Sequence, residues 1–306
     1  MGIIGNWLES LDYQYKVSDR CIREVSPRSS CRSCADICPS DALEMAKGRP
    51  VLDTLKCAEC GLCLGACPVQ AVEGIVPKRL VSGKKLVIRP GEEVSLNELL
   101  VHSSKGITGV LAANGELSAE WGRLVEKANK ILAELGKEPF TAEASPQLEE
   151  KDEAFTRRQL FTMWGQEGKS LAKQAVPASW RFNQQALDVS KVYPEHQFYE
   201  IMLDPATCTL CKVCESTCPK KCFSLEDGQF TISPLSCTGC SLCEDVCPER
   251  AVSITEVVKF AETSEYGVTE KQCDSCKRPF QTLRPDEQAC PTCAKRREGY
   301  LSSHVC

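Results

Sequence analysis

Residues 208–247 contain Cys208-Thr-Leu-Cys211-Lys-Val-Cys214-Glu-Ser-Thr-Cys218-Pro219 and Cys237-Thr-Gly-Cys240-Ser-Leu-Cys243-Glu-Asp-Val-Cys247-Pro248, with 18 residues between Cys218 and Cys237. Three thiolates spaced by two residues fit a tight loop around three corners of an iron–sulfur cubane. The loop's backbone N–H groups then point at the inorganic sulfides, and the fourth corner has to come from elsewhere. The proline after each last Cys suits the first position of a short helix, where its fixed φ is favourable and its missing N–H costs nothing. A pair of four-thiolate zinc knuckles is the alternative, but zinc does not require this order of cysteines twice in one register.

The two runs resemble bacterial dicluster ferredoxins. In that family the last Cys of each run serves the other cluster. The resemblance therefore implies one [4Fe–4S] cluster on Cys208, Cys211, Cys214 and Cys247, and another on Cys237, Cys240, Cys243 and Cys218.

A copy of this arrangement lies about 180 residues earlier. Cys38-Pro39, Cys57, Cys60, Cys63 and Cys67-Pro68 stand where Cys218-Pro219, Cys237, Cys240, Cys243 and Cys247-Pro248 stand later. The copy breaks at its start. Cys31 and Cys34 are in place, but position 28 holds Arg28, and Cys21 is the nearby candidate, separated from Cys31 by nine residues that include Pro27. With Cys21 as a ligand, the resemblance implies clusters on Cys21/Cys31/Cys34/Cys67 and on Cys57/Cys60/Cys63/Cys38. Without it, Cys21 is a small buried hydrophobe and one corner is open. Cys222 stands where the first copy has Ala42 and reads as a small core residue.

At 306 residues the chain has room for two or three domains. Its 22 Cys sit in metal-ligand spacings rather than scattered, so they point to a reducing compartment rather than to disulfides. No apolar run approaches the roughly 18–20 residues that span a bilayer, and the start lacks the pattern of a secretory signal. The expected location is cytoplasmic, free or bound to a partner complex. A formal charge of −5 argues against general nucleic-acid binding. Ile3, Ile4, Trp7, Leu8 and Leu11 share one helical face, which fits a cover over the first cluster module.

Residues 68–207 contain no Cys, so that region does no thiol chemistry. Lys84–Arg89 and Gly109–Ala113 read as strands. Ser95 is positioned to cap a helix through Leu100, and Ser118 to cap a second helix. On the second, Trp121, Leu124, Val125, Ala128, Ile131, Leu132 and Leu135 form an apolar stripe that ends at Gly136. His102 reads as a lone loop or surface histidine. Residues 141–155 carry five acids against one Lys and read as an exposed linker. Thr156-Arg-Arg-Gln-Leu-Phe follows, read as a helix with Phe161 and Trp164 packing inward. This arginine pair with the cluster region after it resembles the cytoplasmic ferredoxin-type accessory proteins of periplasmic nitrate reductase.

Cys273-x2-Cys276 and Cys290-x2-Cys293, separated by 13 residues, look like a zinc ribbon, a closed four-thiolate site with one structural metal. A single iron is the alternative, since both metals accept four thiolates. Lys277, Arg278, Lys295, Arg296 and Arg297 read as a solvated face, and His304 and Cys306 as a frayed tail.

The fold class expected is α+β. Two dicluster ferredoxin-like modules (1–78 and 201–260) are separated by a small α/β spacer or docking module (79–140) and a helical linker (141–200), and 268–306 forms the ribbon. With each cubane held by four Cys, no iron is open to substrate and no catalytic constellation stands elsewhere. The chain is therefore expected to be an electron-transfer protein rather than an enzyme. Four [4Fe–4S] clusters would relay electrons to or from a catalytic oxidoreductase subunit, within the span of about −700 to +450 mV open to such clusters. The alternative is an accessory protein that matures a metalloenzyme such as a molybdenum oxidoreductase. A nucleic-acid reader with redox-sensing clusters is a further reading, opposed by the charge balance.

Overall fold

The computed structural model describes residues 15–74, 79–113, 115, 117–145 and 187–297. The N-terminal apolar face, the Arg157–Arg158 segment and the tail with His304 and Cys306 lie outside these. The chain divides into two compact units, one of residues 1–18 and 33–189 and the other of residues 19–32 and 190–306.

In the first unit, β1 (Lys16–Val17) pairs antiparallel with β4 (Val72–Glu73), bringing the two ends of the first cysteine-rich segment together. Between them lie α1 (Ser33–Asp36), the hairpin β2 (Leu43–Ala46) and β3 (Arg49–Leu52), and α2 (Leu62–Ala66). The hairpin turns on Lys47 and Gly48, both left-handed at φ 51° and 80°. Two such residues in succession give a turn whose twist matches that of the flanking strands.

The Cys-free region forms a four-stranded sheet in the order β5 (Leu80–Ser82), β6 (Lys85–Ile88), β7 (Gly109–Ala113), β8 (Thr141–Ser145). Its first pair is antiparallel and the other two are parallel. The crossovers are α3 (Leu96–Ser104) and α4 (Ala119–Glu134), capped as expected by Ser95, which accepts from Glu98 N, and by Ser118, which accepts from Trp121 N. Leu86, Leu99, Val110, Ala128 and Leu132 are fully buried between sheet and helices. Trp121, Val125 and Leu135 of the expected stripe are buried with them.

Three expectations are corrected here. The linker does not begin at 141. Thr141–Ser145 is an edge strand in register with β7, with Thr141 to Ala144 exposed, so its composition resembles that of a linker. α3 runs on to Ser104 rather than ending at Leu100. His102 is not unpartnered, because its Nε2 lies 3.8 Å from Glu98 Oε1, one helical turn away.

Glu98 is the centre of a buried polar knot. Arg79 grips it through Nε to Oε1 at 2.7 Å and Nη2 to Oε2 at 3.1 Å, and also reaches Glu92 Oε1 at 3.1 Å. The Arg79 and Glu98 side chains are 5% and 4% exposed, so screening by water is slight. The module is also joined to the cysteine-rich segment of its own unit. Asn97 Nδ2 donates to Gly65 O of α2 at 2.8 Å, and a Cβ on Gly65 would meet Ser95 Oγ at 1.9 Å. It therefore buttresses α2, which carries Cys63, and is more than a spacer.

In the second unit, β9 (His196–Leu203) pairs antiparallel with β12 (Val252–Phe260), with a bulge between Glu256 and Lys259. Between them come α5 (Val213–Thr217), the hairpin β10 (Phe223–Glu226) and β11 (Gln229–Ile232), and α6 (Leu242–Val246). The hairpin repeats that of the first unit in register, Phe223↔Ile232 answering Leu43↔Leu52, and turns on left-handed Asp227 and Gly228. β13 (Ser264–Gly267) adds a third strand to it. The module thus starts before 201 and extends past 260. β14 (Thr269–Gln272), β15 (Pro279–Thr282) and α7 (Pro291–Arg297) follow. Ile201, Phe223, Phe230, Ile232 and Val252 pack together with Cys222, Cys237 and Cys243 in one core.

Burial pushes the Glu98 carboxyl up, but His102 and Arg79 outweigh it and hold Glu98 below the usual carboxylate range. The stability this pair contributes is present above about pH 4.3, the ordinary glutamate value, and is lost as pH falls through the depressed folded value. Glu98→Gln is expected to destabilise the α/β module by about 3 kcal/mol at neutral pH, and the difference should vanish in acid. Urea unfolding at both pH values checks this; an unchanged midpoint at neutral pH would show the knot to be energetically idle.

Candidate metal and cluster sites

The three regular cysteine loops share one backbone device. Residues at the second place after the first Cys and at the first place after the second Cys are left-handed: Leu210 and Lys212, Gly239 and Ser241, and Glu59 and Gly61. Alternating right- and left-handed residues turn successive N–H groups toward one side, forming a concave nest suited to an anion. The bound sulfides would be that anion. Among the described residues, the stretch from Cys21 to Cys34 has no left-handed residue, so it lacks the nest.

A second device recurs four times. After each Cys-Pro, the third residue from the Cys is left-handed: Asp41, Gln70, Lys221 and Arg250. The next N–H then bends back to the sulfur, Ala42 to Cys38 at 3.3 Å, Ala71 to Cys67 at 3.2 Å, Cys222 to Cys218 at 3.4 Å and Ala251 to Cys247 at 3.2 Å. Such donors favour thiolate over thiol. At Cys38, burial raises the thiol, yet Ser40 and the N–H groups of Ala42, Ser40 and Leu43 bring it below the ordinary value.

The second unit holds two cavities. One is lined by Cys208, Cys211, Cys214 and Cys247 among Leu203, Phe230 and Val252. The other is lined by Cys218, Cys237, Cys240 and Cys243 among Ile201, Phe223 and Ile254. The second unit thus assembles each set with its fourth Cys from the other run. Burial, with the charge of neighbouring thiolates, pushes Cys214 up to about 12 and Cys240 to about 11. Thiolates massed in an apolar cavity need a cation to stay ionised, which iron in a cluster supplies. Thr238 Oγ1 lines the second cavity and is buried with no hydrogen-bond partner among the described residues. It is a donor left for a sulfur acceptor, and with the donor set it fits a [4Fe–4S] group.

Cys222 is a core residue as expected, at 2% exposure, but it does more than fill space. Its thiol is hydrogen-bonded to both Cys218 and Cys237, and it lines the second cavity. That bond, against burial, draws Cys218 down to about 6, with the N–H groups of Cys222, Lys220 and Lys221 adding to it. Sequence reading missed this contact; the signal available was a fifth Cys four residues after a ligand.

In the first unit, burial lifts Cys63 to about 12, and the charges of Cys60, Cys34, Cys57 and Cys38 add to it. Cys57, Cys60 and Cys38, and also Cys34 of the other expected set, therefore sit within electrostatic reach of Cys63. A tyrosine backs each second loop. Tyr15 donates its hydroxyl to Glu59 O at 3.2 Å, and the Tyr199 ring lies where a Cβ on left-handed Gly239 would come within 2.2 Å. The fourth expected set is divided: Cys34 and Cys67 belong to the first unit, Cys21 and Cys31 to the second. Cys21 is buried and precedes the helical turn Ile22–Val25, whose Arg23 donates through Nε to Cys31 O. Ser30, beside Cys31, is held by Asp245 of α6, with N and Oγ at 2.7 and 3.0 Å from Oδ2. The strand before Cys21 retains the entry geometry of the regular module. Ser18 N donates to Ala71 O as Asp204 N does to Ala251 O, three and four residues before Cys21 and Cys208.

Cys273, Cys276, Cys290 and Cys293 place their sulfurs within 4.8 Å of one another, close enough for one metal ion. N–H groups from Cys290, then Cys276, bring Cys273 down to about 6 against burial. Lys277, after the first knuckle, takes the left-handed turn at φ 61° without being glycine.

Residues 28–71 and residues 200–256 each match a family model described as a 4Fe-4S dicluster domain. Over 39 residues the chain is 44% identical to an uncharacterized ferredoxin of Methanocaldococcus jannaschii, a stretch covering 13% of this chain and 26% of that protein. The chain thus spans about a quarter of the length of the curated relative it matches. Two segments of this chain are dicluster ferredoxin domains, and such domains imply [4Fe–4S] clusters.

With Cys21 as the first ligand of the interrupted run, Cys21→Ser should convert one cluster of the chain to a three-iron form or lose it while the others persist. EPR spin quantitation and iron analysis check this. Wild-type iron content and signals in the variant would make Cys21 a packed hydrophobe.

Proposed function

We propose that this chain is an electron relay, with four [4Fe–4S] clusters and a structural zinc, serving a partner oxidoreductase. The cluster ligands in this reading are Cys208, Cys211, Cys214 and Cys247; Cys237, Cys240, Cys243 and Cys218; Cys57, Cys60, Cys63 and Cys38; and Cys21, Cys31, Cys34 and Cys67. The pair of cavities in the second unit, each lined by a crossed four-cysteine set, supports it most directly. When bound, a [4Fe–4S] group takes up and releases one electron at a time.

The chain's residues set the conditions for that exchange. Four cysteines per site leave no iron position for substrate. The nests and the Cys-Pro turns supply N–H donors fixed before an electron arrives, so little reorganisation is needed, and apolar cavity walls keep water away. Small buried donors at Ala42, Ala71, Cys222 and Ala251 allow the backbone to approach each sulfur. Cys273, Cys276, Cys290 and Cys293 form a closed tetrathiolate site, which suits zinc in a structural role, with iron the alternative. Among the described residues no helix is long and apolar enough to cross a membrane.

An anaerobic pull-down, followed by stopped-flow mixing of the reduced chain with the captured enzyme, tests the reading. A relay should bind the cofactor-loaded enzyme and reduce it, or be reduced by it, at a rate dependent on enzyme concentration. Binding only to the cofactor-free enzyme, with no electron exchange, would establish the maturation role instead.

A further inference from the structure

The C-terminal four-cysteine module is packed onto the ferredoxin domain of its own unit at one of the two cavities. Val268 and Leu283 are packed against the core that contains Phe230, Cys237 and Cys243. Val268 N donates to Gly228 O at 2.8 Å, next to the hairpin turn. Lys295, two residues after Cys293, pairs with Glu249. Glu249 lines the cavity of Cys208, Cys211, Cys214 and Cys247.

Arg284 lies in the loop between the two knuckles, beside Leu283. Its Nη2 donates to Glu287 Oε1 and its own N–H to Thr282 Oγ1 at 3.0 Å, while Thr282 donates to Glu287 Oε2 at 2.7 Å. One bond thus holds the guanidinium itself, and the other two fix its backbone and its Glu287 partner. Its Nε is buried and has no hydrogen-bond partner among the described residues. The Arg284 side chain as a whole is 36% exposed, but a buried donor atom on it without an acceptor is still costly. The Arg284 charge also reaches Cys208: burial pushes that thiol up, and Leu210 N–H and Arg284 oppose it.

We propose that the C-terminal module is a metal-dependent clamp that holds Arg284 against the cluster site of Cys208, Cys211, Cys214 and Cys247 and raises its reduction potential. Reduction adds one negative charge to that site, and a guanidinium held beside it in a partly desolvated setting favours the reduced form. The second metal centre has a defined task in this arrangement. With a metal on its four thiolates, the loop from Cys276 to Cys290 is closed and both Arg284 and Lys295 are anchored. Among the described residues the module's own core is Cys273, Ala289 and Cys293 with Cys276, Phe280 and Cys290 against them, so without the metal little holds the loop and Arg284 is released.

The inference rests on the reading that these four cysteines hold a cluster, and the test separates the two. EPR-monitored redox titration of the anaerobic full chain is compared with Arg284→Gln and with Cys276→Ser, alongside iron and zinc analysis. In the expected result iron is unchanged in both variants, zinc is lost only from Cys276→Ser, and one cluster moves to more negative potential in each. A tenfold change in its reduction equilibrium corresponds to about 59 mV. A wild-type chain with no cluster at this site would defeat the underlying reading. Normal iron with unshifted potentials in Arg284→Gln would overturn the tuning role. A shift in Arg284→Gln but none in zinc-free Cys276→Ser would overturn the clamp, and loss of iron from Arg284→Gln would make Arg284 a structural brace.

Discussion

Burial of closely gathered thiols, with the mutual repulsion of their thiolates, is the constraint on which both ferredoxin domains depend. Burial and mutual charge raise Cys63, Cys214 and Cys240 far above an ordinary thiol. Positive charge from a bound group and aligned N–H donors relieve it. Much of the local backbone serves the second need: left-handed residues recur within the regular loops and after each Cys-Pro. An L-residue in that conformation costs roughly 1–2 kcal/mol, so the polypeptide carries strain at each site that ligand binding offsets.

The departures from the repeat carry most of the individuality of the chain. The first cysteine-rich segment replaces a regular loop by the stretch from Cys21 to Cys34, without left-handed residues, and the first unit braces α2 with Asn97 and the close fit of Ser95 on Gly65. The second unit keeps both loops and adds Cys222 beside Cys218 and Cys237. It also adds β13 and the four-cysteine module. The same hairpin, in the same register, underlies both, so the differences lie in what has been attached to a shared cradle rather than in the cradle itself.

Cysteine spacing made the cradles, the repeat and the C-terminal four-cysteine group legible in the sequence, because ligand geometry leaves few arrangements of thiolates along a chain. Serine caps and the apolar period of α4 were legible for a similar reason, each being a local rule. The nests were not: Gly61 and Gly239 hint at them, but Glu59, Leu210, Lys212 and Ser241 adopt the same conformation with no sequence mark. β8 was hidden because an exposed edge strand has no apolar face to show. The Arg79–Glu98 knot joins residues 19 positions apart and reads as ordinary surface charge until the fold buries it. Arg284 stood in the same way among scattered basic residues, and only the fold shows its pairing with Glu287.

We propose that each of the four cradle sets, the irregular one with Cys21 included, holds a [4Fe–4S] cluster. Metal analysis of the anaerobically purified full chain, with Mössbauer spectroscopy to identify the iron, tests it most directly. The expected result is about sixteen iron atoms as four [4Fe–4S] clusters and one zinc per chain. About eight iron atoms, with the spectrum of a single domain's pair, would contradict it.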